Sequence, residues 1–339
     1  AHKAFVNACA LLDIGIEWIY PDDEQSYIAC NITAQQISER LAGQNGRITA
    51  VYITSPDYLG NMQDIAAIAR ACHESGALLS VDNAHGAYLK FMPTPAHPMD
   101  LGADICCDSA HKTLGVITGG AYLHISVSAP AVLAERAKAS FSVFGTSSPS
   151  YLILQSLDAA NGTTEAFRNE LRTFLPEADS LKAKLAAHGF ELAGSEALKL
   201  TLKPKSFGYS GQDIAATLEA ANIYPEFYDP DYIVLMLSPR HSERELDALC
   251  DTLCSLPRRA PIVSAPPRMP RPERVISPRE ALLAAAEKVP LPCCLGRISA
   301  ASAIGCPPAI PIVIMGERIN SAAIACLEYY GIESCMVVK

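Results

Sequence analysis

The sequence predicts an α/β fold, in which a mostly parallel sheet carries helices on both faces and a second, smaller α/β domain follows. Three observations predict it. Half of the 339 residues are apolar and only 19% are charged, the balance of a packed globular chain long enough for more than one core. Strand-length apolar runs alternate with segments of helical period through the first part of the chain. Two of those runs close on residues with chemistry, VDNAH at 81–85 and DSAHK at 108–112. In a parallel sheet such carboxyl ends are where ligand groups gather.

The elements follow in order. RITAVYIT (47–54) reads as a strand ending in the turn SPDYLG, and NMQDIAAIARACHESG (61–76) reads as a helix closed by glycine. ALLSVDNAH (77–85), ADICCDSAH (103–111) and GGAYLHIS (119–126) are the next three strands. Residues 1–150 are therefore taken as a major domain. Residues 151–190 read as long helix, followed by a strand at 197–204, a helix at 211–223, a strand pair at 226–239 and the helix SERELDALCDTLCSL. These make a small α/β domain over 151–256. Seven prolines between 257 and 278 mark an extended linker, and residues 279–339 form a third unit with a short opening helix and a closing helix.

Composition excludes some classes. A formal net charge of −9 argues against nucleic-acid partners, which need clustered cations. No apolar run approaches the roughly 20 residues of a membrane span, and the first residues lack a secretory signal. The twelve cysteines have no scaffold or zinc spacing. They read as reduced, mostly buried thiols of a cytoplasmic protein, and no metal is expected.

The residues at the strand ends admit two readings. Asp82 and Lys112 could form a plain buried ion pair. They also suit pyridoxal 5′-phosphate, which needs a lysine for its aldehyde and a carboxylate for its pyridine nitrogen. Ser109 and His111 would then supply phosphate contacts, and His85 would reach the ring oxygen or its surroundings.

These segments resemble the bacterial ornithine/lysine/arginine decarboxylases. VDNAHGAYL and LGADICCDSAHKTLGVITGGAYLHI are similar to that family's major domain, as are AHKAF, ITSPDYLGNMQDI and FSVFGTSSPSYLILQSLDAA. SPREALLAAAEKVPL, GRISA and CPPAIPIVIMGERI resemble its C-terminal domain. The resemblance implies pyridoxal-phosphate fold type I, with a C-terminal decarboxylase domain at 279–339. It implies Lys112 as the Schiff-base lysine, Asp82 at the pyridine nitrogen and His2 stacked on the ring. His85 would lie close to the ring substituents, with Ser109 and His111 at the phosphate. Thr146 and Ser147 would reach the site across a homodimer interface. The implied reaction is decarboxylation of arginine, lysine or ornithine. Asn83 and Gly115 depart from the family pattern, which puts the substrate rather than the chemistry in doubt. The family's glycine- and serine-rich phosphate loop lies upstream of the AHKAF segment, so an N-terminal piece is expected to be missing.

Two alternatives stay open on the sequence. One is another fold type I enzyme, an aminotransferase or lyase; an aminotransferase would be favoured by an arginine that fixes the α-carboxylate, and Arg240 in LSPRHSERE stands at such a place. An inactive fragment is the other. Glu317 in GERI is a further candidate for approach to the site. His73, His97, His124 and His188 match no site motif and read as surface or satisfied core.

Overall fold

A computed structural model describes residues 1–21, 26–44, 46–146, 148–302 and 308–339. The chain opens with α1 (Lys3–Leu12) and α2 (Ala34–Leu41). The first sheet has strand order β1-β2-β3-β4, formed by β1 (Ala50–Thr54), β2 (Leu78–Asp82), β3 (Ile105–Asp108) and β4 (Tyr122–Ile125). The first three strands run parallel and β4 runs antiparallel to β3. The register sets Thr54 opposite Asp82, and Asp82 opposite Cys107. The site residues therefore gather at one edge of the sheet because the strands end together there.

The β1-to-β2 crossover is α3 (Ile65–Glu74), which buries Ile65, Ile68, Ala69 and Cys72 against Ile53, Leu79 and Val81. Its start is fixed by Asp64, whose carboxylate accepts the Ala67 N–H at 3.0 Å. Gly76, at φ +73°, lets the chain turn back into β2. The β2-to-β3 connection holds two 3₁₀ turns, Ala87–Phe91 and Pro98–Leu101. Ser109 then opens the single turn α4 (Ala110–Thr113), which carries Lys112.

After β4 come α5 (Ala131–Phe144) and α6 (Tyr151–Gly162), neither of which has a buried residue. Tyr151 is 85% exposed, Leu152 67% and Phe141 57%, so an apolar surface faces outward. The long helix expected over 151–190 is two helices, because α7 (Thr164–His188) starts anew after Thr163. The second sheet is antiparallel with order β5-β6-β8-β7. Its strands are β5 (Glu191–Ala193), β6 (Lys199–Lys203), β7 (Phe227–Tyr228) and β8 (Ile233–Met236). The helices α7, α8 (Gly211–Ala220) and α9 (Glu243–Cys254) pack on it through Leu171, Leu185, Ile214, Leu218 and Leu253. Each such fully buried leucine or isoleucine contributes about 1.5–3 kcal/mol of transfer free energy.

Residues 257–273 are extended, as their prolines require. They lead into α10 (Pro278–Leu283), whose capping box joins Ser277 and Glu280. The third sheet pairs β9 (Ala286–Pro290) antiparallel with β10 (Ser334–Val338) over α11 (Ser321–Tyr329). The chain therefore closes on a strand after the expected helix; Val337 is fully buried and gives that strand its reason to pair. Contacts of Val6 and Ala10 with Ala281 and Met315 bind α1 to this unit.

Candidate active site

Lys112 and Asp82 stand at adjacent strand ends. Lys112 Nζ lies 3.0 Å from His85 Nε2, while His85 is only 5% exposed. Burial, then the positive charges of Lys199 and Lys112, push His85 well below the ordinary imidazole range. The ring is therefore neutral, its Nε2 accepts from the lysine, and its proton resides on Nδ1. That Nδ1 is buried and has no hydrogen-bond partner. An orphaned buried donor is costly, and a ligand bearing acceptor oxygens would answer it.

Asp82 accepts from the Tyr52 hydroxyl at 2.6 Å and from the Ala84 N–H at 3.2 Å. Burial first, then the Asp82 carboxylate, push the Tyr52 phenol far up, so it stays a donor. Tyr52 stacks in turn on Phe5, with ring centroids 4.0 Å apart. His2 is the N-cap of α1 and accepts the Ala4 N–H through Nδ1 at 3.2 Å. Burial lowers its pKa; among the nearby charges Asp82 opposes that shift and Lys112 adds to it, so His2 shares their electrostatic neighbourhood.

Ser109 is the N-cap of α4, yet its hydroxyl makes no capping bond. His111 is tied through Nδ1 to the Gly120 carbonyl at 2.9 Å, which leaves Nε2 as its second polar atom. Thr146 is exposed after α5 and accepts the Ser148 N–H at 3.1 Å. Within this chain it is not brought to Lys112 by any described contact; Ser147 lies outside the described residues.

Behind the site is a second polar cluster. Strand alternation turns Asp108 to the sheet face opposite Asp82. Asp108 accepts from Asn83 Nδ2 (2.7 Å), His97 Nε2 (3.0 Å) and His124 Nε2 (2.9 Å). Burial alone would raise its pKa, but the bonds from His124, His97 and Asn83 outweigh burial and hold it low. Two histidines and a carboxylate at this spacing are also a possible metal ligand set. The tautomer argues otherwise: His97 Nδ1 accepts the Met99 N–H at 3.3 Å, which leaves the proton on Nε2, facing Asp108. A metal-bound histidine does the reverse and donates through its other nitrogen. Asn83 is thus tied into this hub through its amide Nδ2. Gly86 is required beside it, because a Cβ there would come within 1.9 Å of Asn83 Oδ1.

His97, Asp108 and His124 line a cavity of about 490 Å³ together with Phe91, Phe167 and Arg240. Arg240 also lies 3.8 Å from Glu170 and is not among the residues at Lys112. Glu317 is 6% exposed; its Oε2 accepts the Ile314 N–H at 2.8 Å within its own loop. His73 is bonded to Asp104 at 2.9 Å, and the described cysteines are free thiols.

Known proteins resemble this chain along most of its length. The model of the Orn/Lys/Arg decarboxylase major domain matches residues 1–203, and that of the same family's C-terminal domain matches 268–334. The uncharacterized protein YaaO of Bacillus subtilis is 29% identical over 346 residues, which cover 95% of this chain and 70% of the relative. An arginine decarboxylase of Halalkalibacterium halodurans is 29% identical over 348 residues, with 96% and 70% covered. Lysine decarboxylase A from Pseudomonas aeruginosa superposes with a TM-score of 0.81 at 17% identity, over 100% of this chain and 65% of that one. The chain thus spans slightly less than two thirds of that solved structure. At this identity the likeness shows the fold, which is the α/β fold type I of pyridoxal-phosphate enzymes.

Proposed function

The chain belongs to the Orn/Lys/Arg decarboxylase family, and on that premise we propose that its protein decarboxylates a basic amino acid with pyridoxal 5′-phosphate. The observation that carries the reading is the Lys112–His85 contact at 3.0 Å beside a buried imidazole donor without an acceptor. Lys112 would tether the cofactor, Asp82 would face its pyridine nitrogen, and Ser109 and His111 would offer donors to its phosphate. His2 would cover one ring face.

The bound cofactor supplies a ring that accepts the electron pair left when carbon dioxide departs from the α-carbon. The protein's own residues do the rest. Asp82, fixed by Tyr52 and Ala84, presents a carboxylate whose negative charge favours a protonated ring nitrogen. Neutral His85 offers Nε2 to the Lys112 amine and so orients it. The half-buried His2 limits water at the site.

Thr146 fits a role only if a second copy of the chain is present. The outward apolar residues of α5 and α6 flank it, which supports a homodimer that buries both helices. The free thiols, with Cys107 and Cys293 exposed, support a reducing, cytoplasmic setting. No described helix is long and apolar enough to cross a membrane.

The test is release of carbon dioxide from arginine, lysine and ornithine with added cofactor, with the amine products identified as agmatine, cadaverine or putrescine. Arginine comes first, because several relatives bear the name arginine decarboxylase. Turnover of one of the three that is lost in Lys112→Ala is the expected result. Transamination without carbon dioxide release overturns the reading.

A further inference from the structure

Lys199 is an unusual residue for the buried start of a strand. It lies on β6 in the second sheet and is 4% exposed. A buried ammonium has three donors to satisfy. Among the described residues it makes a single hydrogen bond, to the Asp57 carbonyl at 3.1 Å. Burial lowers its pKa, while the carboxylates of Glu196, Asp57 and Glu226 oppose that shift and Lys112 adds to it. A charge kept at such a cost marks a functional position more often than a packing one.

Its surroundings lead to the active site. The Asp57–Gly60 turn is held by the second sheet at several points. Thr201 Oγ1 donates to the Leu59 carbonyl at 2.9 Å, and the Ser195 and Glu196 N–H groups donate to the Gly60 carbonyl at 2.8 and 2.9 Å. Gly60, at φ +84°, takes a backbone conformation that favours glycine, and a Cβ there would press on the Lys199 side chain at 3.3 Å. The turn presents Tyr58, whose ring lies 5.7 Å below Lys199 Nζ and whose hydroxyl donates to Glu226 at 3.0 Å. The Tyr58 ring meets His85 edge-on at 5.2 Å, and His85 contacts Lys112.

We propose that Lys199 is a positioning residue for Lys112: it fixes the Asp57–Gly60 turn so that Tyr58 holds the His85 ring against the Lys112 amine, and its charge favours the amine's neutral, reactive form. The proposal rests on the reading of Lys112 and His85 as the decarboxylase site. It makes the second sheet a part of that site, although it contributes no group that touches the reacting atoms. The titratable groups around the two lysines include Glu196, Asp57 and Glu226 near Lys199, and Asp82, His111, His2 and the neutral His85 at the Lys112 end. Replacing Lys199 by a neutral residue removes a cation and leaves those carboxylates, so both changes favour the protonated Lys112.

The test is reductive methylation of the folded protein with formaldehyde and cyanoborohydride across pH, read at Lys112 by peptide mass spectrometry with exposed Lys138 as internal control. In Lys199→Met the midpoint of Lys112 labelling is expected to move up by about one pH unit, about tenfold slower near neutrality, with Lys138 unchanged. Lys199→Arg keeps the charge and the donors and is expected to restore most of the wild-type profile. A folded Lys199→Met with the wild-type Lys112 profile overturns the proposal. If Lys199→Met fails to fold, Tyr58→Leu decides: it breaks the link to His85 without stranding a buried charge, and an unchanged Lys112 profile there overturns the proposal equally. This readout needs no cofactor. A wild-type Lys112 that pyridoxal phosphate and borohydride leave unlabelled would count against the decarboxylase reading and not against the Lys199 link.

Discussion

At the scale of single residues, burial sets the protonation of His85 and Tyr52, the two groups that orient Lys112 and Asp82. His85 is neutral because its surroundings exclude water and hold cations. Asp82 is oriented by a phenol that will not ionise in the working range. Tyr52→Phe removes that donor but leaves the stack on Phe5 intact. A hydrogen bond to a charged group is worth about 1.5–3 kcal/mol, so kcat is expected to fall about tenfold or more while KM for the amino acid stays within about twofold. Steady-state kinetics of the variant check this, and an unchanged kcat would remove Tyr52 from the site. Asp82 and Lys112 were legible in the sequence because each ends an apolar run. Tyr52 was not, because its partner lies 30 residues on and only the β1–β2 register brings the two together. Lys199 was still less legible, being 142 residues from the carbonyl that it bonds.

At the scale of elements, the strands and helices of the first and second sheets follow the apolar periodicity. The departures have local causes. The second 3₁₀ turn of the β2-to-β3 link starts at Pro98, which suits a first helical position, and is capped by His97, whose Nδ1 accepts the Met99 N–H. Strand β10 was missed because SCMVV is too short for a periodicity argument, and its pairing with β9 is set by the third core. That third unit carries its own pH dependence. Burial pushes the Glu317 carboxyl from its ordinary 4.5 to about 7. Between those values the folded state binds the more protons, so stability is greatest at the acid end, falls as pH rises toward about 7, and is flat above. Glu317→Gln keeps an acceptor for the Ile314 N–H and removes the titration. Calorimetry is expected to show the variant more stable than wild type at pH 8, by on the order of 2–3 kcal/mol, with the difference gone near pH 4.5. Equal slopes in the two proteins would contradict the buried-carboxyl account. Some slope is expected to persist from Asp229, which burial also raises to about 7.

At the scale of the whole molecule, three sheets meet around a turn and a helix. The Asp57–Gly60 turn joins the first sheet to the second, and α1 joins the His2 end of the chain to the third unit. The outward face of α5 and α6 is an apolar surface that the described chain leaves uncovered. Sedimentation at micromolar concentration is expected to give a two-chain mass, shifted toward one chain in Phe141→Ser/Leu152→Ser. A single-chain mass in the wild type would leave Thr146 without a site to serve. The first-sheet architecture was readable from the alternation of runs, whereas that apolar face was not, because helical periodicity does not say which side of a helix is left open.

The most direct test of the central claim is covalent capture at Lys112. The protein is treated with pyridoxal 5′-phosphate, reduced with borohydride and digested, and the pyridoxyl group is located by mass spectrometry. The account expects one pyridoxyl group per chain, on the peptide that holds Ser109, His111 and Lys112, and none in Lys112→Ala. Stoichiometric labelling at a different lysine, or retention of the label in Lys112→Ala, would contradict it.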